Sequence, residues 1–310
     1  MDFIEPYIQK VNPSALQDTL FYLSKEPLTC RILNYARPGQ EKCTLYETDD
    51  YIEFMLKARG YSLEAEAVPV QCCVSDEKLS AGFRIPNPHA PWFKANNQYA
   101  RKTGQRHPKE LIIVIAYKDS QSWLTASPGA YYNAVGVSAV LEIARILADY
   151  RSERTIWFVF CNREVWPLTS VTVAERVAKS DFETIGVLNL DGLGGKSPKD
   201  NLFGRLSNVT RYSTAEGEAI ADLSFELNQK LEIGLNQKKY FYDQIDDDDG
   251  SFINAGIKRA VMNTGSFPFA EPNYHTVNDM AENVDIQNLK LATQLSLATV
   301  LYWDAHGKVD

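Results

Sequence analysis

The 310-residue chain is 45% apolar and 23% charged, the balance of an ordinary globular protein with core enough to fold without staples. Its net charge of −8 leaves no excess of cations for phosphates, which excludes a general nucleic-acid binder. No run approaches the roughly 18 apolar residues needed to cross a bilayer, so no membrane association is expected.

The opening MDFIEPYIQK lacks the basic start and apolar stretch of a secretory leader. Five cysteines, Cys30, Cys43, Cys72, Cys73 and Cys161, are odd in number and irregular in spacing. They read as reduced thiols of a cytoplasmic protein, and Cys72-Cys73 as a strand end rather than a redox or metal pair.

In chain order, Asn12-Pro13-Ser14 introduces a helix over Ala15 to Ser24. Thr48 to Gly60 predicts a second, with acids leading, Lys57 and Arg59 trailing and Gly60 as the stop. Tyr61 to Val70 alternates as a strand does, and Pro86, Pro88 and Pro91 mark a loop within residues 76–108. Leu111 to Tyr117, Thr155 to Cys161, Ile185 to Leu190 and Lys258 to Met262 are strands, the first two apolar enough to be buried on both faces. Between and after them, Asn133 to Tyr150, Val171 to Val177, Ala215 to Leu231 and Val284 to Tyr302 read as helices. Asp246 to Asp249 reads as a solvated acidic loop at a pocket rim; it lacks the alternating acids and closing Glu of a calcium loop. This alternation predicts an α/β fold: a three-layer α/β/α sandwich with a central, mostly parallel mixed sheet. Residues 1–310 are expected to form one domain, with helices in 1–60 packing on the α/β core. Function in such folds sits beyond the carboxyl ends of the strands, here after Ile115, Phe160, Leu190 and Met262.

Those strand ends carry an ordered series of motifs. Ala116-Tyr117-Lys118-Asp119-Ser120 resembles Ala-His-x-Asp-Ser of the M28 zinc aminopeptidases, the zinc-exopeptidase type. Ser127 to Gly136 (SPGAYYNAVG) is similar to that family's Ser-Pro-Gly-Ala-Asp-Asp-Asn-x-x-Gly. Phe158 to Ser170 resembles a strand entering Glu-Glu-x-Gly-Leu-x-Gly-Ser, taken with one residue deleted. Leu188 to Asp191, Asp248 to Ile257 and Tyr274-His275-Thr276-Val277-Asn278-Asp279 resemble the remaining motifs, and together the series covers residues 110–300.

The resemblance implies two zinc ions sharing one carboxylate, which activate a water positioned by a Glu. Carried over by position, the His ligand becomes Tyr117, the bridging Asp becomes Tyr131, and the Glu ligand becomes Val165. Asp191 and His275 remain as vestigial ligands, and Glu164 takes the general-base position. Zinc wants about four ligands, and a phenol ligates well only after losing a proton of pKa near 10. No metal cofactor is therefore expected, zinc being the one the family would supply. Tyr117, Lys118, Asp119, Tyr131, Tyr132, Val165, Asp191 and Asp248 are expected to line the pocket, with Lys118 beside Asp119 and available to pair Glu164.

The leading expectation is an M28-like homologue without aminopeptidase activity, whose pocket takes a small peptide-like or aromatic ligand, or which binds a protein partner. One alternative is a metal-independent enzyme performing amide cleavage, cyclisation or other acid–base chemistry through Glu164 and His275. The other is an aminopeptidase with an atypical, Tyr-ligated metal.

Overall fold

Apolar runs too short for helices and bounded by turns become the central strands, and periodic segments between them become covering helices. The structure, a computed structural model, describes residues 3–309 except 77, 80, 81 and 125. Three helices come first: α1 (Glu5–Ile8), α2 (Pro13–Ser24) and α3 (Thr44–Lys57). Then follow β1 (Leu63–Cys72), the short pair β2 (Val74–Ser75) and β3 (Phe83–Arg84), β4 (Phe93–Lys102) and β5 (His107–Tyr117). A π turn, Ala130–Ala134, runs into α4 (Val135–Leu147), followed by β6 (Arg154–Cys161), β7 (Val165–Trp166), α5 (Ser170–Ala178) and β8 (Glu183–Leu190). The last third holds α6 (Pro198–Leu202), β9 (Ser207–Tyr212), α7 (Ala215–Lys230), β10 (Asn236–Phe241), α8 (Asp247–Asn254), β11 (Ala260–Thr264) and α9 (Ile286–His306).

Nine strands form one mixed sheet in the order β10-β9-β11-β8-β5-β6-β4-β1-β7. Its centre, β11-β8-β5-β6, is wholly parallel; β4, β1 and β7 run antiparallel on one flank, and β9 is antiparallel to β11 on the other. Helices α2, α4, α7 and α9 pack together on one side, and α5 packs with α8 on the other, giving the three layers expected. Leu111 to Tyr117 and Thr155 to Cys161 are buried along their whole length, as strands covered on both faces must be.

Strands β4, β9 and β10 and residues 247–249 differ from the sequence reading. Strand β4, beyond the proline loop, was not read from the sequence, because Asn96, Asn97 and Gln98 are polar yet bond Asp49, Thr169 and the Asp49 carbonyl. Strands β9 and β10 carry too many polar side chains to show an apolar pattern. Residues 247–249 are no solvated loop: Asp247, Asp248 and Asp249 are buried in the first turn of α8, at the end the helix dipole makes favourable to acids, and Arg211 pairs Asp247 and Asp249.

The turn that carries the tyrosines is held from two sides. Arg31, fully buried in the loop between α2 and α3, donates to the carbonyls of Leu23, Lys118, Pro128 and Gly129 at 2.5–2.8 Å. Burial pulls its pKa down to about 10, because no carboxylate touches it directly. Gly129 takes φ +57°, and a Cβ there would strike the Tyr132 carbonyl at 2.6 Å and Arg31 Nη2 at 2.9 Å. On the other side, buried Asp279 accepts from the backbone N–H of Tyr131 at 2.7 Å and Tyr132 at 3.2 Å. Asn133 ties the turn to β8, donating to the Leu190 carbonyl at 2.7 Å and accepting from Gly136 and Gly192 N–H.

Replacing Arg31 by Met strands the Leu23, Lys118 and Pro128 carbonyls, while the Gly129 carbonyl keeps the Ala134 N–H at 3.0 Å. Each orphan costs about 1–3 kcal/mol, so R31M is expected to lose several kcal/mol of unfolding free energy in urea titration. A loss under 1 kcal/mol would show that water or a backbone shift satisfies them. Burial pushes Asp279 up to about 7, against an ordinary carboxyl near 4. Between those values the folded state holds a proton that the unfolded state has released, so this residue's contribution to stability falls as pH rises from about 4 to 7. D279N is expected to flatten that part of the stability–pH curve, as followed by thermal unfolding; an unchanged slope would place the titration elsewhere.

Candidate functional site

The site forms where β5, β6 and β8 end at their carboxyl termini, the position such sheets reserve for ligands. Tyr117, the last residue of β5, is fully buried, and its hydroxyl donates to Asp191 Oδ1 at 3.2 Å. Burial, then the neighbouring Asp191 and Glu164 carboxylates, push its phenol well above the ordinary value. Asp191, just past β8, is itself pushed well up by burial despite the nearby Arg163.

Glu164 follows β6. Its Oε1 lies 3.6 Å from His275 Nε2 and 3.3 Å from Arg163 Nη1. Burial opposes ionisation, yet His275 and Arg163 hold its carboxyl below the ordinary value. Asp119 cradles this turn by accepting the N–H groups of Arg163 and Glu164, each at 2.9 Å. Burial and Glu164 push Asp119 up to about 8.

Arg163 supplies the charge at the centre. Its guanidinium bonds Asp247 and Glu164 and lies 5.7 Å from the Tyr117 ring centroid. Burial opposes its charge, but Asp247 and Glu164 keep it protonated well above the ordinary arginine value. The other oxygen of Asp247 accepts from Arg211 at 2.9 Å, so this carboxylate is held between two guanidinium groups. Asp248 lies behind it, fully buried near Cys161 and Ser170, and burial pushes it up to about 6.

Aromatic rings close the space. His275, at φ +53°, stacks on Tyr274 with centroids 3.8 Å apart. Tyr132 is buried against Tyr274 at 4.6 Å and lies 5.8 Å from His275. Trp123 meets His275 edge-on at 5.5 Å and is itself stacked by Phe83 at 4.4 Å.

Tyr117, Tyr132, Glu164, Asp191 and His275 thus converge. Three other expected lining residues do not. Tyr131 turns away: its hydroxyl donates to the Asn283 carbonyl, and it borders a separate polar cavity with Lys196 and Glu271. Tyr132, the next residue, holds the central place assigned to it. Val165 faces a small apolar cluster with Leu33, Leu45 and Val70, because β7 pairs with β1 and turns that side chain outward from the site. Lys118 points opposite to Tyr117, as neighbours on a strand do, and its Nζ reaches Asn162 Oδ1 at 2.6 Å, the Asn96 carbonyl at 2.8 Å and Asp49 at 3.2 Å. It is therefore no partner of Glu164.

Arg163 and Asp247 were missed. The signal was present: counted back from Ser170 without a deletion, the Glu-Glu pair of the motif falls on Arg163-Glu164. In that frame Glu164 occupies the ligand position, consistent with its approach to His275, and Arg163 the general-base position. Among the described residues, no three His, Cys, Asp or Glu side chains are grouped as a metal site would require. Nor does any described helix have the length and apolarity to cross a membrane.

Aminopeptidase YwaD of Bacillus subtilis is 28% identical over 205 residues, 63% of this chain and 41% of the relative. A probable zinc metalloprotease of Pyrenophora teres f. teres is 27% identical over 187 residues, 57% of this chain and 36% of the relative. The match thus spans less than half the length of these curated relatives. Among solved structures, an aminopeptidase from Aneurinibacillus sp. strain AM-1 superposes with a TM-score of 0.70 at 15% identity, covering 99% of this chain and 97% of that one. A Bacteroides thetaiotaomicron glutaminyl cyclase bound to N-acetylhistamine gives 0.70 at 16% identity, covering 93% and 97%. These likenesses establish the fold. The model of peptidase family M28 matches residues 97–300, about two thirds of the chain, and the chain belongs to that family.

Proposed function

We propose that this M28 member has given up the dinuclear zinc centre and ordinary aminopeptidase activity, and keeps the fold to bind a small peptide-like or aromatic ligand, or a protein partner. The observation that carries this reading is Arg163, a permanent cation seated among Glu164, Asp247 and the Tyr117–Asp191 pair. Those carboxylates already have their counter-charge. A zinc pair entering there would meet a guanidinium at close range, with unscreened repulsion in a buried site.

The remaining donors fit zinc poorly. Zinc asks for about four N, O or S ligands at roughly 2.0–2.3 Å. Tyr117 and Tyr132 offer phenols that burial keeps protonated. Glu164, Asp191 and His275 remain, but Asp191 is engaged by the Tyr117 hydroxyl. A retained ligand role is supported by the rings of Tyr132, Tyr274, Phe269, Trp123 and Phe83, which provide stacking surface without metal. Five unpaired thiols are compatible with a cytoplasmic setting.

A second reading, metal-independent acid–base chemistry, draws support from the 3.6 Å approach of Glu164 to His275. It requires turnover that is insensitive to chelator and lost in both E164Q and H275A.

Elemental analysis of protein purified without chelator decides the leading proposal: no stoichiometric zinc is expected, and two ions per chain would overturn it. R163Q removes the resident cation. It is expected to destabilise the fold by about 3–5 kcal/mol and to bind zinc at least tenfold more tightly than the parent in calorimetric titration. Equal zinc affinity in the two proteins would show that Arg163 is not what keeps metal out.

A further inference from the structure

Strand β10 ends the large sheet, with β9 as its neighbour on one side. Asn236 N–H donates to Leu206 and Tyr242 N–H to Tyr212. Bonding residues alternate in a parallel ladder, so even-numbered residues face β9, and the N–H and C=O groups of Gln237, Lys239 and Phe241 face the open edge. Natural edges of this length are blunted by charge, proline or a covering element. Here the lysines are drawn back onto the chain without being saturated: Lys238 pairs with Asp200 at 3.5 Å, and half-exposed Lys239 gives two of its three donors to Asp222 at 2.7 Å and Glu218 at 3.2 Å. What the edge presents is aromatic. Phe241 is 58% exposed and Tyr240 40%; Leu202 and Phe203, beside Asp200 on the adjoining end of α6, are 80% and 58% exposed. Large apolar side chains left exposed along an unpaired strand edge mark an interaction surface.

We propose that two copies of this chain join here, by antiparallel pairing of β10 with β10 about a twofold axis at Phe241. A twofold perpendicular to the sheet leaves each face on its own side, so opposed residues share the same parity and the axis passes through a residue. An axis at Lys239 sets two like charges directly opposite. An axis at Tyr240 sets Lys239 opposite Phe241, which leaves its third N–H donor without a partner. With the axis at Phe241, Phe241 meets its own copy, Tyr240 meets Tyr242, and Lys239 meets Asp243 of the second copy, twice over. Aromatic and opposite-charge cross-strand pairs are the stabilising kind, and the outward N–H and C=O groups of Phe241 close a reciprocal pair of bonds. The edge is self-complementary in this one of the three registers.

Sedimentation velocity on the full chain at tens of micromolar tests this. A species of twice the chain mass is expected. D243K and K239E are each expected to sediment as monomers, and K239E/D243K to recover the dimer because the charges are exchanged. F241C checks the register without relying on charge. Opposed Cα atoms in a bonded antiparallel pair lie about 5.5 Å apart, within disulfide reach, so mild oxidation should cross-link F241C and leave K239C and the parent uncross-linked. A monomeric parent at that concentration, a dimer unaffected by D243K, or cross-linking of K239C equal to that of F241C would each overturn the proposal.

Discussion

One buried guanidinium joins the parts that the site requires. Arg31 belongs to the loop between the N-terminal helices, yet its bonds end on the Leu23, Lys118, Pro128 and Gly129 carbonyls. These belong to the end of α2, the residue after β5 and the turn before Tyr131. Carbonyls at the ends of elements lack partners within those elements, and burial without a donor would cost each of them its hydration. Arg31 satisfies them with the fork that only arginine offers, and so fixes the distance between β5 and the tyrosine turn. The N-terminal segment is thereby part of the site's frame.

The same residue type solves a different problem at the centre. Asp191, Glu164 and Asp247 converge at the strand ends, and Asp248 and Asp249 lie behind them, all buried. So many acids in a low-dielectric interior would protonate or push the chain open unless cations were supplied. Arg163 and Arg211 supply them for Asp247, which the two guanidinium groups share, and Arg163 with His275 does so for Glu164, while burial still pushes Asp191 and Asp248 up. The aromatic rings of Tyr117, Tyr132, Tyr274 and Trp123 then exclude water, which strengthens each ion pair left inside.

Much of this architecture was legible from residues alone. Continuous apolar runs announced β5, β6 and β8, and the motif order from Tyr117 to Asp279 announced the family's strand ends. Strands β4 and β9 were hidden because their buried faces are made of Asn, Gln, Thr and Arg, which satisfy one another across the sheet rather than showing an apolar period. Side-chain direction was harder still. A strand alternates faces at every residue, so an alignment frame off by one sends Val165 into the site and leaves Arg163 out of it. Tyr131 and Tyr132 pose the same problem in a turn: both replace an acid, and only the backbone, pinned by Asp279 and Asn133, decides which ring looks inward. Lys118 was misplaced by sequence adjacency to Asp119, although its amine spans to the far side of β4.

The cation at the centre of this protein is covalently part of the polypeptide. An ion held by ligands comes and goes with its supply, and chelators or competing metals can strip or replace it. Arg163 cannot dissociate, and its neighbours keep it protonated across the whole range in which proteins stay folded. The charge it brings to the interior is therefore settled once, when the chain is synthesised.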